Sequence, residues 1–100
     1  MKILSTLLIS AALSVSGAAF ASADLAKKNA CIGCHDATAK KVGPTWKDIA
    51  AKHKGDAAAE ENLAKFIVSG GKGNYGKIPM PPQARAKADA PALAKWIMTH

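Results

Sequence analysis

The pattern of apolar and polar positions divides the chain into two parts. Met1 and Lys2 precede a largely apolar run, Ile3 to Val15, and small residues then continue to Ala23. A charged start, an apolar stretch and a small-residue end make up a secretory signal peptide. Ala21-Ser22-Ala23 offers small side chains where the peptidase must accommodate them, so residues 1–23 are expected to be removed before Asp24, with cleavage after Ala21 as the rival site. A membrane anchor is the other reading of such a run. Ser5, Thr6, Ser10, Ser14 and Ser16 interrupt it, and it falls short of the about 20 apolar residues a span needs. Export to the periplasm without stable membrane insertion is the expectation.

From Asp24 onward the apolar positions recur at helical spacing, and no stretch alternates with the period of a strand. A first helix is expected over 24–34, with Asp24 as its cap. Thr45 suits the cap of a second, in which Trp46, Ile49, Ala50 and His53 fall at i, i+3, i+4 and i+7 before Gly55. Asp56 is expected to open a third, where Leu63, Phe66 and Ile67 share a face up to Gly70 and Gly71. The last places Leu93, Trp96, Ile97 and His100 on one face, with Asp89 or Ala90 at its start and Pro91 in its first turn, where a missing N–H is tolerated. Between the last two, Gly70 to Gln83 holds four glycines and three prolines, too many for regular structure. An ordered loop of this length in a small domain usually serves function.

Composition sharpens the picture in one respect. Removing 23 residues from 100 leaves 77, enough for one domain (24–100) with one modest core. Domains of this size usually need disulfides, a metal or a large cofactor. The two cysteines, three positions apart, close too small a loop to staple anything themselves. Charge adds less. The signal carries one of the 14 Lys and Arg, so 13 face seven Asp and Glu. Export argues against nucleic acid, and the lysines are scattered without interleaved aromatics. They suit either plain solvation of helix faces or weak docking on acidic protein partners.

Candidate chemistry then gathers at Cys31-Ile32-Gly33-Cys34-His35, the pattern of covalent haem attachment. Two thiols three residues apart on one helical turn reach two vinyl groups on one side of a porphyrin. The adjacent His35 turns its imidazole to the iron. Two other readings of the pair compete with this one. A thioredoxin-like redox pair needs a βαβ framework and a longer chain. A zinc site needs four ligands, whereas His53 and His100 each lie on an apolar helix face, the ordinary position of a half-buried histidine.

A single histidine leaves the second axial position of an iron open, and its occupant separates a carrier from a gas-binding or peroxidatic protein. Met80, in Ile78-Pro79-Met80-Pro81-Pro82, is the candidate, because prolines brace the backbone on both sides of a flexible thioether. Gap-filling in the core is the plainer role of a methionine, and Met98 is assigned to it. Gly71-Lys72-Gly73-Asn74-Tyr75-Gly76-Lys77 matches a phosphate-binding loop up to Ile78, which stands where Ser or Thr is required. No strand precedes it, so its glycines are read as tight turns at a haem edge.

Taken together, the haem motif, Val42-Gly43-Pro44 with Trp46, the proline-braced Met80 and Leu93-Ala94-Lys95-Trp96 resemble the small class I bacterial cytochromes of the c-551/c-552 type over essentially all of 24–100. The resemblance implies an all-α fold, about four helices around one covalently bound haem c, with His35 and Met80 as metal ligands and Cys31 and Cys34 as attachment points. It implies a monomeric electron carrier, not an enzyme, passing single electrons between respiratory partners with acidic docking patches. It further implies that the Pro44 carbonyl accepts the His35 N–H, that Gln83 brings an amide near the methionine sulfur, that Trp46 packs on the porphyrin and that Trp96 locks the last helix across the first. Each tryptophan is equally explained as ordinary core, and here the two roles merge because the haem is the core. Three departures stand out. Tyr75 replaces a tryptophan that bonds a haem propionate, and its hydroxyl is expected to bind the haem in the same way with altered geometry; Phe66 stands where some relatives have arginine, and Ala26 replaces an aromatic that would pack on Trp96. Lys27, Lys28, Lys72 and Lys77 are expected near the exposed haem edge.

Overall fold

A computed structural model of the chain describes residues 23–100, so the expected signal segment lies outside the described residues apart from Ala23. Four helices appear among them: α1 over 23–28, α2 over Trp46–Lys52, α3 over Ala59–Ser69 and α4 over Ala90–Ile97. Short 3-10 turns lie at Cys31–Gly33 and Ala84–Ala86.

The second and fourth helices follow the expected pattern as far as Lys52 and Ile97, but His53 is the C-cap of α2 and His100 lies exposed beyond the end of α4. Thr45, in extended conformation, accepts the Asp48 N–H on Oγ1 at 3.0 Å and so caps α2. Trp46, Ile49 and Ala50 turn inward, and Gly55 leaves the helix end with φ +85°. Pro91 sits in the first turn of α4, which buries Leu93, Ala94 and Ile97 while Trp96 stays half-buried. Met98 packs against this core at its edge, as expected.

Elsewhere the boundaries move for identifiable reasons. The first helix stops at 28 rather than at 34, because Ala30 adopts a left-handed φ of +60° that no α-helix continues. Asn29 prepares the break: its Nδ2 donates to the Leu25 carbonyl at 2.9 Å and to Asp89 Oδ2 at 3.1 Å. The haem motif therefore occupies its own tight turn, in which Cys34 N and His35 N both donate to the Cys31 carbonyl, at 3.2 and 3.0 Å. Asp56 caps too, but one turn early. Its Oδ1 accepts from Ala58 N at 2.9 Å, and α3 begins only at Ala59. Asp89 makes no capping bond to α4, because its carboxylate is engaged with Asn29 and lies 3.8 Å from Lys28 Nζ. Ala26, where relatives have an aromatic, is fully buried and belongs to the core.

Helices α3 and α4 pack against each other, with α2 against α4. Their shared core consists of Trp46, Ile49, Leu63, Ile67, Leu93 and Ile97. Leu93 is 1% exposed, and burying a side chain of that size stabilises by about 1.5–3 kcal/mol.

Candidate functional site

A cavity of about 530 Å³ opens between the segment after α1 and the loop after α3. Its volume lies within the about 300–1,000 Å³ of small-molecule and cofactor sites. Core side chains, among them Ile49, Leu63, Ile67 and Leu93, also line it, so one wall of the site is the interior of the protein.

Every residue singled out in the sequence as a ligand or attachment point borders this space. Cys31, Cys34 and His35 enter from the haem-motif turn, with Pro44 and Trp46 just beyond. Cys31 and Cys34 are not joined in a disulfide, and burial pushes the Cys31 thiol above the usual thiol pKa. The turn is tied to the segment 36–46, where Gly43 N donates to the Cys34 carbonyl at 2.8 Å and Lys41 Nζ to the Ile32 carbonyl at 3.0 Å, and the segment itself is closed by Trp46 N donating to the Asp36 carbonyl at 2.9 Å.

His35 is buried, and its ring orientation is set by its neighbours. Nδ1 lies 2.7 Å from the Pro44 carbonyl, as the resemblance implied. A carbonyl only accepts, so Nδ1 carries the proton and Nε2 keeps a free lone pair. Trp46 stacks on the imidazole at 4.7 Å between centroids and 24° between planes. Gly43 closes a further side. A Cβ at that position would stand 2.6 Å from His35 Cε1, so only glycine lets the backbone pass. Sequence reasoning gives Gly43 no role of its own, although its place beside Pro44 is the available signal.

The remaining residues come from the loop. An isolated antiparallel bridge joins Gly71 and Met80, with N–H···O distances of 2.7 and 3.0 Å, and fixes the backbone of the methionine. Gly70 supports it from behind at φ +69°, where a Cβ would meet the Met80 carbonyl oxygen at 2.5 Å and Pro82 N at 2.7 Å. Gln83 lines the cavity, but its Nε2 donates to the Pro81 carbonyl at 2.9 Å. Tyr75 buries its hydroxyl with no hydrogen-bond partner among the described residues. Trp96 meets Trp46 of α2 edge to face at 5.4 Å, and the Asn29–Asp89 bond is one of the contacts between the first and last helices. Lys72 and Lys77 border the cavity as expected, yet Lys40 and Lys41 stand there in place of Lys27 and Lys28.

The donor set fits a covalently held haem. Two thiols and an imidazole with a free Nε2 border a largely apolar space with a thioether, and an orphaned phenol hydroxyl awaits an acceptor. Four helices around such a cleft define a small haem-binding protein of the all-α class. The chain belongs to the cytochrome c family, whose profile matches residues 21–100. It is 54% identical over 89 residues to cytochrome c-552 of Nitrosomonas europaea, covering 88% of this chain and 86% of that protein. It is 47% identical over 88 residues to cytochrome c-551 of Allochromatium vinosum, covering 87% and 94%. The crystal structure of the wild-type Nitrosomonas europaea protein superposes with a TM-score of 0.75, over 77% of this chain and 96% of that one. Haem c, held covalently, is the cofactor of the family and hence of this chain. Its relatives are small cytochromes rather than enzymes. No helix among the described residues is long and apolar enough to cross a membrane.

Proposed function

We propose that this chain is a periplasmic monohaem electron carrier, exported by cleavage of residues 1–23, with His35 and Met80 as the two axial ligands of its iron. The observation that carries the reading is the paired Gly71–Met80 hydrogen bonding, which holds a thioether-bearing residue on the same cavity as His35 and both cysteines. A methionine that only filled space would need no such anchoring.

The bound group supplies one-electron cycling between Fe(II) and Fe(III). What the chain contributes is geometry and field. Pro44 holds His35 in the tautomer that presents Nε2 and makes the ring a stronger donor. Met80, taking the other axial position, favours the reduced state over what a second histidine gives, within the about 0.8 V that axial ligands span. His35 and Met80 would together hold the iron from both sides and leave no place on it for a substrate. Lys40, Lys41, Lys72 and Lys77 at the mouth of the site steer acidic partners towards the exposed edge.

The test is the weak charge-transfer band from methionine sulfur to ferric iron. It is expected in the oxidised protein and absent in Met80→Ala, with a large fall in potential. A band that survives the substitution, or is missing from the unaltered protein, removes Met80 from the coordination sphere and reopens the gas-binding or peroxidatic reading.

A further inference from the structure

Tyr75 Oη is the one buried side-chain polar atom without a partner among the described residues. An unpaired hydroxyl is unfavourable until it meets an acceptor, and a carboxylate is the strongest acceptor it can meet. Burial, and after it the nearby Asp48 carboxylate, raise its pKa above the usual phenol value, so the group keeps the proton it would donate. The hydroxyl depends on a loop, 71–80, that is joined to itself only at its base. Near its tip, one side chain from outside the loop takes hold. Lys52, in the last turn of α2, donates from Nζ to the Asn74 carbonyl and stands over the Tyr75 ring, 4.5 Å from its centroid. Lys52 does not itself border the cavity, whereas Asn74 and Tyr75 do.

We infer that Lys52 is a positioning residue for the haem: it latches Asn74 and Tyr75 to α2, so that the Tyr75 hydroxyl meets a haem carboxylate, and its charge lies over the same ring. The inference rests on the haem reading above. Two effects then act in the same direction. The tyrosine hydrogen bond draws negative charge away from the carboxylate, and the ammonium adds a positive field through a ring of low dielectric. Both stabilise the extra electron of the reduced state and raise the potential. Losing Lys52 removes its field and frees the loop, which weakens the hydrogen bond as well. The effect of Lys52 therefore runs partly through Tyr75, and the two residues are energetically coupled.

The experiment uses the haem-loaded protein and the variants Lys52→Met, Lys52→Arg, Tyr75→Phe and the Lys52→Met/Tyr75→Phe double variant. Covalent haem is verified by the colour retained after denaturation, potentials are measured by voltammetry, and stability by denaturant unfolding. Lys52→Met keeps the aliphatic stem of an exposed residue, so folding is preserved. The expected result is a lower potential in Lys52→Met and in Tyr75→Phe, a double variant whose fall is smaller than the sum of the two, and recovery of most of the potential in Lys52→Arg. A potential unchanged in Lys52→Met, whether or not stability falls, overturns the inference, as do two shifts that add in full. A red wild-type protein with either of those outcomes refutes the latch alone. A colourless folded protein refutes the haem reading, and the latch with it.

Discussion

The imidazole of His35 is fixed on three sides by unlike neighbours. The Pro44 carbonyl accepts its Nδ1–H, Trp46 covers a face, and Gly43 passes so closely that a methyl group there would stand 2.6 Å from Cε1 and 2.9 Å from Nδ1. Overpacking of this kind costs about 1–3 kcal/mol. Gly43→Ala is therefore expected to destabilise the haem-loaded protein by about that amount in denaturant unfolding and to lower its potential by disturbing the Pro44 bond. Unfolding and potential both unchanged would mean that the ring has room to spare. Much at this scale is legible in the sequence, because covalent attachment dictates Cys31, Cys34 and His35 by spacing alone. Ala30 is not. An alanine at φ +60° carries no mark in the sequence, since what forces it there is Asn29 reaching a carboxylate 60 positions away.

Among the elements, those with local signals are readable and those with distant partners are not. Thr45 caps α2 because its donor is three residues on, and a local bond of that sort survives any tertiary arrangement. Asp89 has the same capping chemistry but points elsewhere. It binds Asn29, and α4 relies on Pro91 and on packing for its first turn. The Asn29–Asp89 bond thus joins the end of α1 to the start of α4, with Asn29 4% exposed. Contacting, partly buried groups couple by about 0.5–3 kcal/mol in double-mutant cycles. Asn29→Ala, Asp89→Ala and their combination are expected to show a coupling in that range by denaturant unfolding. Additive losses would make the contact incidental. The Gly71–Met80 bridge is equally hidden, because two hydrogen bonds between a glycine and a proline-flanked methionine have no sequence period.

For the molecule as a whole, one carboxylate beside the haem motif gives pH a defined hold on stability. Asp36 lies directly after the haem motif, and the N–H groups of Ala39 and Thr38 hold its carboxyl below the usual aspartate range. A depressed carboxyl contributes stability that is complete above its unfolded value of about 3.9 and is lost as pH falls through the lower folded value. Asp36→Ala is accordingly expected to flatten the acid limb of a stability–pH curve below about pH 4. An acid limb identical to that of the wild type would assign acid loss to other groups. At this scale the all-α class and the single core are readable from periodicity and length. The shape of the cavity is not, since it depends on how α3, α4 and the loop meet.

That cavity has a consequence for the life history of the protein. Leu63, Ile67 and Leu93 belong at once to the interior and to the wall of the site, so whatever fills the cavity packs directly against the core and completes it on that side. Anything that binds only the folded chain stabilises it, and a covalent ligand cannot be diluted away. Maturation is then irreversible. A copy with the haem attached is therefore expected to outlast, in denaturant or protease, one that missed attachment.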